Sequence, residues 1–581
     1  MEDETGALDP VTLAVLKGRL EQIVDEMDAT LYRSSFNPII AEAHDACHGI
    51  YDPHTGDTLV QGTGGLPIFV GSMSFAVRAA IERAARDGGM RDGDVFVFND
   101  PYLGGTHLND VRLVRPFVRD GRVFCQLASV GHWTDVGGNV PGNYNPIARD
   151  SHQEGVLLPP VKLYDAGVVR EDIVDILKAI GRSPVNAIGD LTAQVASLEL
   201  GVRRLNDLLD EYGDDVVHRA LALLRTAGAQ LMRSHIQTLP DGSYSSEDLL
   251  DNDGIRDAPL RIAVDVTVRG DSLHLDFGRT SPASEGPVNI ARSTTIAACY
   301  VALKHLFPEV PANAGCLDPI EFSIPEGCLL DATSPRPVGG YTETILRIMD
   351  VIFDAVAQAA PERAMGASYG TINAVALTGR RREGGQWVMF TFFGGGLGGN
   401  VDGDGLNHGN APLSTAVIPP VEVFEARFPV RFSRWSLRPD SGGPGLHRGG
   451  LGAVYELEAL SDDVDLSVFG ERALHAPRGV AGGGDGALNV ISYEQDGVRS
   501  RPVLSSKVTG VRLQRGDRVR IESPGGGGYG SPMRRPPEAV RSDVQAGYVT
   551  LEAAASDYGV ALDAEGRVDG PASESLRRRA Q

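Results

Sequence analysis

Apolar residues recur at helical spacing near the start of the chain, through Leu13, Leu16, Leu20, Ile23, Val24 and Met27. Asp9 stands where a cap is needed and Pro10 suits a first turn, so the spacing predicts an opening helix. From about 39 to 136 the texture changes to short apolar runs, such as VFVF at 95–98 and VFCQLASV at 123–130, punctuated by Asp-Gly and Gly-Gly turns. This reads as strands, with one helix over 74–85. Helical periodicity returns over 186–239, where Leu191, Val195, Leu198, Leu205 and Leu209 form a stripe and a second helix covers 216–236. PLRIAVDVTVRGDSLHLDF is a hairpin pattern turning at Gly270-Asp271. Helices follow near 295–306 and 343–359, and beyond 419 strands and glycine turns continue to 530. The tail from 534 carries one short helix at 550–558 and a polar, frayed end. The expected class is a mixed α/β (α+β) fold in several layers, with interleaved strands and helices and no membrane segment. By texture the chain divides into a strand-rich region (1–185), a central helical and α/β region (186–419), a β-rich region (420–533) and a tail (534–581).

Composition narrows the function classes. The 581 residues are 42% hydrophobic and 23% charged, an ordinary globular balance. A net charge of −23 argues against nucleic acid, which needs clustered Lys and Arg. The cysteines, Cys47, Cys125, Cys299, Cys316 and Cys328, are scattered and form no C-x-x-C pair. Buried free thiols are expected, not a disulfide framework or a cysteine zinc site. The first residues are acidic and lack an apolar core, and no run of about 18 apolar residues exists, so a cytoplasmic protein is expected.

The candidate chemistry lies in NDPYLGGTHLNDVRLVRPFVRDGRVFCQLASVGHWTDVGGNVPG, residues 99–142, which holds His107, Asp110, His132 and Asp135. Two strands, 111–118 and 122–130, flank the hairpin turn Asp120-Gly121. In that hairpin residues whose numbers sum to 241 face each other, so Asp110 lies opposite Gly131, one step from His132. Proximity follows, but strict alternation puts Asp110 and His132 on opposite faces. Pro116 demands an edge or a bulge, which could reset the register. Two imidazoles and a carboxylate suit Zn, Mn or Fe(II) and leave coordination positions open. The spacing alone serves equally well for two hydrogen-bonded loop histidines.

The segments NDPYLGGTHLND and GHWTDVGGNVPG resemble the signature of the hydantoinase B/oxoprolinase family, which includes the alpha subunit of acetone carboxylase. EAHD (42–45), HQEGVLLPPVKLY (152–164), GDLTAQ (189–194), PANAGCLDPI (311–320), EGCLLDATSPRPVGGYTET (326–344), SGGPGLHRGGLG (441–452) and ESPGGGGYGSP (522–532) continue the resemblance in order. The resemblance implies metal ligands at His107, Asp110 and His132, with Zn or Mn as the ion. It implies that Asp135 orients a ligand from behind, while Glu154 is either an acid or base or a surface carboxylate. It further implies an ATP-dependent cyclic amide hydrolase of hydantoin or 5-oxoproline type. A hydantoinase A-type partner would bind the ATP, so a hetero-oligomer acting on a small molecule is expected. An alpha-type carboxylase subunit and a non-catalytic scaffold subunit are the alternatives. A non-haem Fe(II) oxygenase would need a double-stranded β-helix, which the helices over 186–236 oppose.

Other signals carry less. SPGGGGYGSP and GGGLGGN (394–400) lack the following helix and the Lys of a phosphate loop, and the first is expected to be a tight turn. HDACH (44–48) overlies the E-x-x-D segment and is not expected to be a zinc helix. DGDG (402–405) lacks the later Glu of a calcium loop.

Overall fold

The structure is a computed structural model that describes residues 8–381 and 384–580. It opens with helix α1 (Pro10–Ser34), capped by Asp9, whose carboxylate accepts from the amides of Val11 and Thr12. A single turn, α2 (Pro38–Ala41), leads into β1 (Ala46–Tyr51) and β2 (Thr58–Gln61), followed by α3 (Pro67–Ala85) and β3 (Val95–Phe98). The long hairpin β4 (Asp110–Arg119) and β5 (Arg122–His132) comes next, then the turn α4 (Ser151–Glu154) and the short strands β6 (Val161–Asp165) and β7 (Val168–Val169). These strands make one antiparallel sheet in the order β2-β1-β5-β4-β3-β6-β7.

Helices α5 (Glu171–Ile180), α6 (Pro184–Tyr212) and α7 (Asp214–Ile236) follow. The stripe Leu191, Leu198, Leu205 and Leu209 of α6 packs with Leu20, Val24 and Leu31 of α1 against Val111, Leu113 and Leu127 on one face of the sheet. The other face, carrying Val114, Ala128 and Val130, belongs to the largest core. That core takes in α3, the buried helices α8 (Arg292–Leu306) and α9 (Tyr341–Ala357), and a second sheet. The second sheet is β8 (Gly242–Leu250), β9 (Leu260–Arg269), β10 (Ser272–Asp276) and β11 (Ile320–Ser323), in the order β11-β10-β9-β8.

The last third packs two sheets around a separate core. One is formed by β12 (Ala374–Arg380) and β13 (Gln386–Thr391), with two strands from further on. After α10 (Val421–Arg427) come β14 (Val430–Leu437), β15 (Ala453–Ala459), β16 (Val464–Phe469), β17 (Val490–Gln495), β18 (Val498–Ser500), β19 (Lys507–Leu513) and β20 (Arg518–Glu522). They complete the orders β13-β12-β16-β19 and β14-β15-β20-β17-β18. The mixed, interleaved class is therefore observed. Among the described residues no helix is long and apolar enough to cross a membrane, and all five cysteines are free and buried.

Two expectations are corrected. The tail is not frayed. Besides α12 (Leu551–Tyr558) it contains α11 (Pro537–Gln545) and α13 (Gly570–Ala580), and Val540, Val549, Ala554, Tyr558 and Val560 give it a small core. Arg535 fastens it, with Nη1 and Nη2 on Asp404 (2.6 and 2.7 Å) and Nη2 also on Asp543 (2.8 Å). The second correction concerns the glycine run 525–528, where none of the four residues has a positive φ. Their need for glycine is close approach of backbones. A Cβ on Gly525 would lie 1.8 Å from Ser441 O, and on Gly527 2.0 Å from Arg478 O. Gly396 and Gly398 of the other run would each meet a backbone oxygen at 1.8 Å. Both runs are filled by other backbone and have no room for a phosphate.

Candidate metal centre

The β4–β5 hairpin turns at Asp120 (φ 49°) and Gly121 (φ 73°), the left-handed pair of a two-residue type I′ turn. Arg119 faces Arg122 and Val118 faces Val123, so the pairing starts in the expected register. It then shifts: Phe117 faces Cys125, and Phe124 is left as the extra residue of a bulge. Phe124 sets its ring edge-on to Phe117 and to His218 of α7. Beyond the bulge Asp110 pairs directly with His132. The one-residue shift therefore moves the two side chains from opposite faces to the same face, that of the large core. Pro116 sits next to the bulge, and pairing with β3 on its other side has ended at Val114. Its missing N–H is tolerated there.

His107 arrives from the preceding loop. Asp100 caps the 3₁₀ turn Pro101–Leu103, and Gly104 follows with φ 102°. A Cβ there would lie 2.3 Å from Ala76 N of α3, so only glycine lets this loop press onto the helix. Asn99 Nδ2 holds Leu108 O at 2.8 Å.

The three side chains converge. His107 Nε2 lies 3.1 Å from Asp110 Oδ1 and 3.2 Å from His132 Nδ1, and His132 Nδ1 lies 3.2 Å from the same Oδ1. Ligand atoms about 2.1 Å from one ion sit roughly 3.0–3.4 Å apart, so this triangle fits a single divalent ion. Of the described residues, these are the one cluster of His, Cys, Asp or Glu with such geometry. All three are at most 3% exposed. Thr106 Oγ1 donates to Asp110 Oδ2 and leaves Oδ1 to the imidazoles. Arg112, fully buried, donates to Thr106 Oγ1 (2.9 Å) and to Asp110 O (2.5 Å). Burial alone would raise the Asp110 carboxyl, but the two bonded imidazoles outweigh it and hold it well below the usual carboxylate range. The His107 ring lies 4.8 Å from that of Tyr341 and 5.7 Å from that of Tyr144, and His132 stacks on Phe390 at 5.4 Å.

One residue was passed over in the sequence except as part of EAHD. Asp45 precedes β1, and its carbonyl accepts from His132 N at 3.2 Å. Burial pushes its carboxyl up to about 7, with the charge of Asp110 adding and that of His132 opposing. Asp45 Oδ1 is buried without a hydrogen-bond partner. Buried orphans of this kind are costly unless something absent from the chain satisfies them. The donor set therefore fits a metal ion, with Asp45 beside it.

Asp135 and Glu154 are placed elsewhere. Asp135 accepts from Gly137 N, Gly142 N, Arg182 N and Arg182 Nη1, and bonds to none of the three cluster residues. It fixes the loop after His132 instead of orienting a ligand. Glu154 is no surface carboxylate: it is 2% exposed and accepts from Val338 N (2.9 Å) and Gly339 N (2.6 Å). Burial pushes it up to about 8 against those two amides. Asn143 ties it in, donating Nδ2 to Glu154 O while its Oδ1 accepts from Asn109, next to Asp110. The two histidines of HDACH also separate. His44 stacks on Tyr32, and His48 is buried between Asp28 Oδ1 and Ser197 Oγ, each at 2.7 Å.

The sequence model of Hydantoinase B/oxoprolinase matches residues 9–532. The chain belongs to this family. It is 33% identical to caprolactamase subunit beta of Pseudomonas jessenii over 590 residues, covering 98% of this chain and 99% of that one. The crystal structure of the ATP-dependent caprolactamase from the same organism superposes with a TM-score of 0.89 at 31% identity, over 98% of this chain and 100% of that one. The chain is 30% identical to 5-oxoprolinase 1 of Arabidopsis thaliana, covering 90% of itself but 42% of that longer protein. Acetone carboxylase, in its nucleotide-free structure, shares the fold with a TM-score of 0.91 at 19% identity, over 98% of this chain and 83% of that one.

Proposed function

We propose that the chain is the metal-binding, hydrolytic subunit of an ATP-dependent enzyme that opens a cyclic amide. The observation that carries this reading is the convergence of His107 Nε2, Asp110 Oδ1 and His132 Nδ1 beside the unpartnered Asp45 Oδ1. His107, Asp110 and His132 would hold one Zn or Mn ion, with Asp45 beside it. When bound, such an ion activates water and polarises a carbonyl. The two imidazoles keep Asp110 ionised, and Thr106, held by Arg112, aims its Oδ1 at them. Tyr144, Tyr341 and Phe390 wall the imidazoles and keep bulk water away, which strengthens every charge interaction at the centre. Asp45 Oδ1 stands as a buried acceptor with no hydrogen-bond partner of its own.

A stable ring amide needs activation, and ATP is its source in the caprolactamase. Both glycine runs of this chain are packed with backbone, so the nucleotide is assigned to another polypeptide of hydantoinase A type. The length relation to 5-oxoprolinase supports this, since the chain covers 42% of that protein and leaves the rest for other work. Amide opening is preferred to ketone carboxylation because identity to the caprolactamase subunit is 33% end to end, against 19% for acetone carboxylase. The test is turnover by the chain co-purified with its partner, with caprolactam, a hydantoin and 5-oxoproline, and with acetone plus bicarbonate. ATP-dependent ring opening that disappears in Asp110→Asn is expected. Carboxylation alone, or hydrolysis undiminished in Asp110→Asn, would overturn the proposal.

A further inference from the structure

Two tyrosines at the metal centre end in hydroxyls that bond to nothing in the chain. Tyr341 is the first residue of α9, and its ring centroid lies 4.8 Å from that of His107. The ring of Tyr144 lies 5.7 Å from His107 and 6.4 Å from His132, and stacks flat on Phe390 at 4.5 Å. Both tyrosines are 4% exposed. Neither hydroxyl has a hydrogen-bond partner among the described residues. Buried phenols ordinarily find one. In this chain Tyr51 Oη accepts from Gln61 Nε2 and Tyr455 Oη donates to Gly394 O, each at 2.9 Å.

The fold holds both rings in place. Glu154 accepts from Val338 N and Gly339 N, just ahead of Tyr341, and its carbonyl accepts from Asn143 Nδ2, just ahead of Tyr144. One residue thus fixes the backbone leading into both tyrosines. A Cβ on Gly340 would lie 2.3 Å from Phe469 Cζ, so the start of α9 is pressed against β16. Burial pushes both phenols well above their usual range, and the charges of Asp110 and Asp45 push them further. The two hydroxyls therefore share one neighbourhood with the carboxylates of the centre. Asp45 is half-buried, so this neighbourhood is not sealed from solvent. Tyr300 also has an unpartnered hydroxyl, but after burial the groups that act on it are Cys316, Cys47 and Tyr51, none of them at the centre.

We infer that Tyr144 and Tyr341 donate hydrogen bonds to the oxygen on the substrate's reacting amide carbon. The inference rests on the amide-opening reading given above and adds two catalytic residues to it. A phenol is protonated at neutral pH and donates without adding charge beside an ion. Its hydrogen bond strengthens as negative charge gathers on that oxygen, and donors already in place need no reorganisation. No proton is transferred and no bond to either tyrosine forms.

Infrared spectroscopy of the chain in complex with its partner, without ATP, tests this before any turnover. Caprolactam, hydantoin and 5-oxoproline are each ¹³C-labelled at the ring amide carbonyl and bound to wild type, Tyr144→Phe, Tyr341→Phe and the control Tyr300→Phe. The isotope-edited carbonyl band falls as donors engage the oxygen. For at least one ligand it should lie below its position in water in wild type and Tyr300→Phe. It should rise in Tyr144→Phe and in Tyr341→Phe, at unchanged metal content and melting temperature. With ATP, kcat should fall about 100-fold or more in either of these two variants, with KM within about threefold of wild type. A wild-type band at its aprotic-solvent position decides against the inference even if a variant folds poorly. An unchanged band or kcat in either variant, or failure of all three ligands to bind, would also overturn it. A band that responds as expected in a complex that opens no ring with ATP would sink only the earlier reading.

Discussion

Gly526→Ala separates close backbone approach from left-handed strain as the reason for the C-terminal glycine run. A Cβ on Gly526 would sit 2.1 Å from Leu397 O, whereas an ordinary contact begins at 3.4 Å. One backbone must therefore retreat by about 1.3 Å, on both sides of which packing is tight. Three hydrogen bonds lie across that contact: Gly526 N to Gly450 O (3.0 Å), Gly443 N to Gly526 O (2.8 Å) and Gly450 N to Leu397 O (2.7 Å). Losing them at about 0.5–1.5 kcal/mol each, with about 1–3 kcal/mol for overpacking, gives a loss of about 2.5–7.5 kcal/mol. The control is Gly497→Ala, where φ is +76° and nothing lies within 4 Å of a Cβ; strain alone costs about 1 kcal/mol there. Urea denaturation followed by circular dichroism measures both. A Gly526→Ala midpoint no lower than that of Gly497→Ala would refute the close-approach argument.

Two further outcomes follow from buried charges. The folded Glu154 carboxyl, raised from 4.5 to about 8, holds a proton that the unfolded chain releases. Its contribution to stability is therefore complete below about pH 4.5 and falls as pH rises towards 8, by up to about 1.4 kcal/mol per unit. Glu154→Gln should flatten that slope in urea titrations between pH 5.5 and 8, and parallel slopes would contradict it. Arg535→Ala removes the bonds to Asp404 and Asp543 and leaves two carboxylates facing each other. Limited proteolysis should then cut the chain near 536 at a rate at least tenfold faster than wild type, and an unchanged rate would contradict the latch.

Several helices were legible because they bury one face, and one-sided burial leaves a period in the sequence. Leu16, Leu20, Val24 and Leu31 on α1 and the leucines of α6 show this most clearly. The site was legible as proximity only. What aligns Asp110 with His132 is the bulge at Phe124, whose ring packs against His218, nearly a hundred residues away. No local pattern encodes that contact, although Pro116 marked the hairpin as irregular. The part played by Asp45 was hidden for a similar reason: its carboxylate is distinguished by burial and a missing partner, which only the assembled chain defines. Glu154 could be read as an acid or base or as a surface carboxylate, because the amides that receive it come from residues 338 and 339. The glycine runs announced that no side chain fits, but not whether φ or a neighbouring backbone forbids it. The tail helices α11 and α13 have short amphipathic faces, and their order depends on Arg535 reaching Asp404 from far along the chain.

The central claim is that His107, Asp110 and His132 share one divalent ion. Elemental analysis of the freshly purified chain, beside His132→Ala and Asp110→Asn, tests it most directly. The account predicts about one Zn or Mn per wild-type chain, and less than a tenth of that in either variant at an unchanged far-ultraviolet spectrum. A His132→Ala chain that keeps its full metal content would contradict it.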